Sequence, residues 1–206
     1  MTLPAIVQAG QPVLRHRAQE IDPARIGSDE MQALVETMVA VMRDAPGVGL
    51  AAPQIGLGLR LIVLEDRPEY MARRPPEELA DRERVPLPLR VIINPVLRAI
   101  VDGAPPRAAT HFEGCLSVSG YMALVERHRE VEVTGLDEHG QPLRWRVAGW
   151  PARILQHEVD HLDGTLYVDR MRPRSLCSNA EVSRWISARV PEVVEGLAVD
   201  APLPQR

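Results

Sequence analysis

The chain has 206 residues, of which 45% are hydrophobic, 25% charged and 3% aromatic, and its formal net charge is −4. That length suits one domain with a mostly aliphatic core. The acidic balance, with no basic stripe among aromatics, excludes a nucleic-acid surface built on phosphate attraction, and no apolar run approaches the ~20 residues that span a bilayer, so neither nucleic acid nor membrane is an expected partner.

Residues 1–11 lack the charged and apolar regions of a signal peptide and the Arg/Ser-rich character of a transit peptide. A cytoplasmic, bacterial location is therefore expected, and an organelle only if a presequence has been removed. In the segment 28–44, Met31, Leu34, Val35, Met38, Val39 and Met42 recur at helical spacing and predict an amphipathic helix. Ser28 is its expected N-cap, and Pro46 and Gly47 stop it. The run GVGLAAPQIG, 47–56, is rich in glycine and reads as a loop that passes close to something. A short strand is expected at 59–65. Residues 66–90 are dominated by Arg, Glu and Pro without an apolar period, so they read as an exposed, mobile loop. Strand returns at 91–95.

Val131, Val133 and Leu136, then Leu143, Trp145 and Val147, alternate on either side of Asp137–Gly140, which predicts a hairpin. Gly149 and Pro151 open a helix that runs through ILQHEVDHL to a cap at Gly164. Beyond it, 165–171 is expected to be extended and 178–190 to form a last helix behind a capping box of Ser178 and Glu181. The tail, 200–206, is expected to fray. Strands and helices mix without βαβ alternation, so the expected fold class is α+β, with residues 1–206 as one domain. The two cysteines, Cys115 and Cys177, are too few for a disulfide scaffold and point to a reducing compartment, where a thiol is free to bind metal.

The strongest chemical signal is His157-Glu158-Val159-Asp160-His161. On a helix, the two histidines lie on one face and their imidazoles can meet one cation, while Glu158 is offset to where a general base for an activated water belongs. A catalytic metal site usually has three protein ligands and an open position. Cys115 is the best third candidate, because its thiolate suits Fe²⁺ or Zn²⁺. Taken singly these signals are modest: H-E-x-x-H arises by chance, and a lone cysteine is most often a small buried hydrophobe.

Three segments together resemble peptide deformylase: Gly47-Val48-Gly49-Leu50-Ala51-Ala52-Pro53-Gln54, Glu113-Gly114-Cys115-Leu116-Ser117, and Gln156 through Gly164. They stand complete and in the family's order, and a weaker resemblance extends from about Ile6 to Met171. Around Val118–Gly120 and Gly149–Trp150 the chain looks closer to the mitochondrial and plant-organelle branch. The resemblance implies antiparallel sheets around a central metal-binding helix, and hydrolysis of the formyl group from the N-terminal formyl-methionine of nascent polypeptides, releasing formate. It implies Cys115, His157 and His161 as ligands of Fe²⁺, with Zn²⁺, Ni²⁺ or Co²⁺ as substitutes. It makes Glu158 the acid/base, and Gln54 with the backbone N–H of Leu116 the oxyanion hole. Formyl-methionyl nascent peptides are the implied partners, with the ribosome near its exit tunnel, where the 178–190 segment is a candidate docking element.

For the methionine pocket, Val48, Trp150, Ile154 and His157 are apolar or flat candidates. Gly47 and Gly49 would let the backbone lie against the bound peptide as an extended strand, Gly114 is a further candidate for substrate binding, and Glu113 is expected to bond nearby backbone and shape the site. Asp160 is expected to pair with Arg127 and so orient the metal helix. His16, His111, His128, His139 and Cys177 have no ligand spacing and are read as structural or solvent-facing. Two other functional classes fit these residues less well. A zinc endopeptidase usually takes its third ligand downstream of the second histidine, where no such signature follows His161. A catalytically silent metal-binding or ribosome-docking homologue would be expected to have lost Gln54, Cys115 or Glu158, and all three are present.

Overall fold

A computed structural model describes residues 2–101, 107–186 and 188–201. Helix α1, Asp29–Asp44, begins where the Ser28 hydroxyl accepts the Met31 N–H, and it buries Met31, Val35, Met38, Val39, Val41 and Met42 on one stripe. The glycine-rich segment after it is more than a loop. Gly49–Ala51 forms a short strand, β1, which pairs with β2, Leu61–Asp66, before a 3-10 turn over Ala52–Ile55. Small residues there let the backbone lie close to its neighbours.

Strand β3, Leu87–Ala99, is much longer than the apolar run at 91–95 suggested, because it is paired on both sides, with β2 and with β6, Glu130–Leu136. Backbone pairing extends a strand past the end of its apolar pattern. Strand β7, Pro142–Ala148, completes the expected hairpin with β6, Val133 opposite Trp145. The turn is tied by Asp137, whose carboxylate accepts the His139 and Gln141 N–H groups. The order of this five-stranded sheet is β1-β2-β3-β6-β7. A second sheet joins β4, Ala108–Cys115, to β5, Val118–His128, and to the two-residue β8, Cys177–Ser178.

Residues 66–90 are largely exposed, as expected, but they are not one structureless loop. They contain a 3-10 turn at Pro68–Tyr70 and a helix, α2, Pro76–Asp81. Asp66, Glu78, Arg82 and Arg84 are buried. Arg84 grips Asp66 with two hydrogen bonds of 2.8 and 2.9 Å, and both Arg82 and Arg84 stack on the Trp150 ring. Charged composition suggested solvation, but charges that find partners tolerate burial.

Helix α3, Gly149–Leu162, lies between the two sheets and touches strands of both. Its apolar side packs on Ile62, Leu64, Ile92, Val131 and Val133. Its polar side is buried too, including Arg153, Gln156, Glu158, Asp160 and His161. The helix stops at Gly164 in the left-handed region (φ 73°), where a Cβ would stand 2.7 Å from the Arg15 carbonyl oxygen.

Two C-terminal expectations are corrected. Residues 165–171 include a helical turn, α4, Tyr167–Arg170, because Asp169 accepts the Leu166 N–H and caps it. The 178–190 segment is no single helix. It holds the one-turn α5, Asn179–Val182, capped as expected by Ser178, and a separate α6, Val190–Gly196, with Pro191 in its first turn. Proline lacks the N–H to continue an earlier helix but suits the start of a new one. Of the tail, 202–206 lie outside the described residues.

Candidate metal centre

Strand β4 ends at Cys115, and the turn Leu116–Ser117 leads straight into β5, where Cys115 pairs with Val118. The thiol therefore sits at the tip of a hairpin. That tip reaches α3, on which His157 and His161 occupy successive turns with ring centroids 5.1 Å apart. Cys115 Sγ is 3.2 Å from His161 Nε2, and one ligand atom from each of Cys115, His157 and His161 lies within 4.8 Å of the others. A thiolate and two imidazoles fit a tetrahedral or five-coordinate transition-metal ion with a position left open. Among the described residues this is the one such cluster of three, and no third ligand downstream of His161 joins it.

The ligands are held from behind. His157 Nδ1 is 3.1 Å from Glu113 Oε2, which leaves Nε2 for the metal. Glu113, buried, also accepts from Arg127 Nε at 3.0 Å and Nη2 at 2.9 Å, and from Arg153 Nη1 at 2.5 Å. The expectation that Glu113 bonds nearby backbone is thus corrected, since its partners are side chains. Burial would raise its pKa, but hydrogen bonds from His157 and Arg127 outweigh that and hold it well below the usual carboxylate range. Arg127 continues to Asp160, the expected pair, and Arg170 adds two bonds to Asp160 at 2.7 and 2.8 Å. One network thus runs from the exposed Arg170 through buried Asp160, Arg127 and Glu113 to His157.

Glu158 points elsewhere. Its carboxylate is buried, Oε2 has no partner among the described residues, and burial pushes its pKa up to about 7. A Cβ on Gly49 would stand 2.3 Å from Glu158 Oε1. The space that Gly49 leaves is therefore filled by Glu158, a role beyond the peptide contact read from sequence. Gln54, 1% exposed, is fixed by accepting the Ala51 N–H at 2.8 Å. Its Nε2 then faces Ser117 Oγ at 3.3 Å and Cys115 Sγ at 3.7 Å, so a donor is aimed at one candidate ligand.

A cavity of about 740 Å³ opens onto this centre. Val48, Gly49, Glu113, Gly114, Trp150 and Ile154 all line it, as do Gln54, Cys115, Leu116, His157 and Glu158, whereas His161 does not. The sequence reading missed Arg153 and the wall of Tyr70, Arg74, Arg82 and Arg84. Arg153 could have been found, because it precedes His157 by one helical turn and shares its face. The wall carries no motif. His16, His128 and His139 are exposed; His111 is half-buried, with its pKa brought down to about 4 by burial and by Arg153 and Arg82. Cys177 is buried.

Comparison with known proteins places these features in context. A family model described as polypeptide deformylase matches residues 3–176. Peptide deformylase 1A, chloroplastic, of Solanum lycopersicum is 51% identical over 191 residues, which are 93% of this chain and 68% of that protein. Peptide deformylase 1A, chloroplastic/mitochondrial, of Arabidopsis thaliana is 54% identical over 173 residues, 84% of this chain and 63% of that protein. The Met-Ala-Ser-bound crystal structure of class I type b peptide deformylase from Acinetobacter baumannii superposes with a TM-score of 0.71 at 30% identity, covering 82% of this chain and 99% of that one.

Proposed function

From the premise that the chain belongs to the peptide deformylase family, we propose that it hydrolyses the N-formyl group of formyl-methionyl nascent peptides, releasing formate and a free α-amino group. The observation that carries this reading is the meeting of Cys115, His157 and His161 at one cavity, beside a Glu158 whose Oε2 has no partner among the described residues. Fe²⁺ is the proposed ion, with Zn²⁺, Ni²⁺ or Co²⁺ able to substitute, on the chemistry of a thiolate with two imidazoles. Cys115, His157 and His161 would hold such an ion, and the chemistry it would supply there is Lewis acidity towards the attacking water and the formyl carbonyl.

The residues then divide the work. With a pKa near 7, Glu158 is suited both to take a proton from the attacking water and to give it up again at the same pH. Attack on the formyl carbon places negative charge on the formyl oxygen. Gln54 Nε2 and the Leu116 N–H are the proposed donors to it, in a site where such bonds are strong. Glu158 then protonates the departing amine nitrogen as the C–N bond breaks. Val48, Trp150 and Ile154 are proposed to receive the methionine side chain, with Gly49 and Gly114 admitting the peptide backbone. Because the substrate emerges during translation, the proposed place of work is beside the ribosomal exit tunnel.

The test is formate release from formyl-Met-Ala-Ser by protein loaded anaerobically with Fe²⁺ or Ni²⁺, measured beside Glu158→Ala. Release by the native chain and a loss of about 10²–10⁴-fold in the variant are expected. Metal-loaded native protein that releases no formate would sink the proposal.

A further inference from the structure

The cavity wall contributed by the 66–90 segment carries more positive than negative charge. Of the arginines that line the cavity, Arg84 is matched by Asp66 and Arg153 by Glu113. Arg74 and Arg82 have only Glu78 between them. Arg74 Nη1 takes it at 2.7 Å and leaves Arg82 Nε at 3.6 Å, outside hydrogen-bond distance. Among the described residues, the hydrogen bond that the Arg82 guanidinium makes is a long one, 3.4 Å, to the Ile186 carbonyl. Arg82 is nonetheless 6% exposed and stacked over Trp150, whose own Nε1 is buried without an acceptor among the described residues. Burial and the neighbouring arginines bring the Arg82 pKa down to about 10, as expected for a cation short of counter-charge. Two guanidiniums sharing one carboxylate in the wall of a peptide cavity form a place for an added anion, because a guanidinium presents five donors and a single long bond leaves most of them unused.

Accepting the deformylase reading, we propose that Arg74 and Arg82 bind a carboxylate of the substrate peptide downstream of its formyl-methionine, so that the enzyme favours chains with an acidic residue there. In a nascent chain the source is an Asp or Glu side chain; in a short peptide the free C-terminus offers the same group. Arg82, in the buried wall, supplies charge and direction. Arg74, 40% exposed, supplies the reach towards the cavity mouth. The contact binds substrate without touching the reacting atoms, so it acts on KM rather than kcat.

The test compares formyl-Met tetrapeptides that are amidated at the C-terminus and carry Glu or Gln at the second, third or fourth position, with free-acid versions beside them. At one position Glu should exceed Gln by roughly fivefold in kcat/KM, carried by KM and weakened by salt. The ratio should fall towards one in Arg74→Gln and Arg82→Gln, and persist in Arg82→Lys, which keeps the cation. An advantage confined to free-acid peptides would assign the site to the terminal carboxylate instead of a side chain. A Glu/Gln ratio near one at every position with no free-acid advantage, or an advantage unchanged in both Gln variants, would overturn the proposal. Binding of the same peptides, read by tryptophan fluorescence, gives the ratio independently of turnover. An absence of formate release from every peptide would then count against the deformylase reading, while the ratio of dissociation constants decides the arginine site. If Arg82→Gln does not fold, the half-exposed Arg74 carries the comparison.

Discussion

Gly49 and Glu158 lie against each other, although more than a hundred residues separate them. The hydrogen of Gly49 faces Glu158 so closely that a methyl group would stand 2.7 Å from the carboxyl carbon. Gly49→Ala should therefore displace the carboxylate rather than unfold the chain, since the obstructing atoms belong to the far end of a side chain. A drop of about tenfold or more in kcat is expected, with metal content and circular dichroism unchanged. Loss of the bound metal along with the activity would show that the glycine serves the fold instead. Glu113 teaches the complementary lesson. Its place two residues before Cys115 suggested a shaping role, but its three partners, Arg127, Arg153 and His157, come from β5 and α3, and only the packed molecule assembles them.

At the scale of elements, α1, the β6–β7 hairpin and α3 were legible because their apolar periods match the faces they bury. The 66–90 segment was not, because most of its buried residues are charged and a charge pair has no period. Its order rests on Arg84 and Asp66, buried at 8% and 0% exposure. Asp66→Asn keeps the shape but leaves Arg84 without a counter-charge, and removing one member of such a pair typically costs ~3–5 kcal/mol. The expected result is a lowered unfolding midpoint in urea together with faster tryptic cleavage between Arg67 and Arg90. An unchanged midpoint with slow cleavage would mean that the segment is held by its apolar contacts at Met71 and Leu87. The C-terminal elements were misread for a different reason: Ser178 does start a helix, but nothing local reveals that it ends within one turn.

In the whole molecule, the candidate ligands come from two bodies of structure. Cys115 belongs to the β4–β5 hairpin of the three-stranded sheet, and both histidines belong to the helix that also supports the five-stranded sheet. An ion held by all three would tie these together, and a ligand that binds only the folded state stabilises it by mass action. Metal at a hundred times its dissociation constant should add ~2.7 kcal/mol. Thermal unfolding of the metal-free protein with and without Ni²⁺ or Co²⁺ should show a raised midpoint, and Cys115→Ser should reduce the rise. An equal rise in the variant would mean that the ion binds elsewhere.

The chain's order of residues marked by itself the candidates for chemistry: two imidazoles one helical turn apart, a carboxylate beside them and a thiol after a glycine. Those features are local, and helix geometry or turn chemistry is enough to read them, whereas the candidate role of the Gln54 amide comes from the resemblance of its motif to a family. What only the tertiary structure decided is non-local. It set the approach of the hairpin tip to α3, the arginine network behind Glu113, the space at Gly49 that Glu158 fills, and the burial of Asp66, Glu78, Arg82 and Arg84 within an otherwise exposed segment. Each depends on pairing between groups far apart in the chain. The energy of burying a polar group is set by the partner it finds, and that partner exists only once the chain has folded.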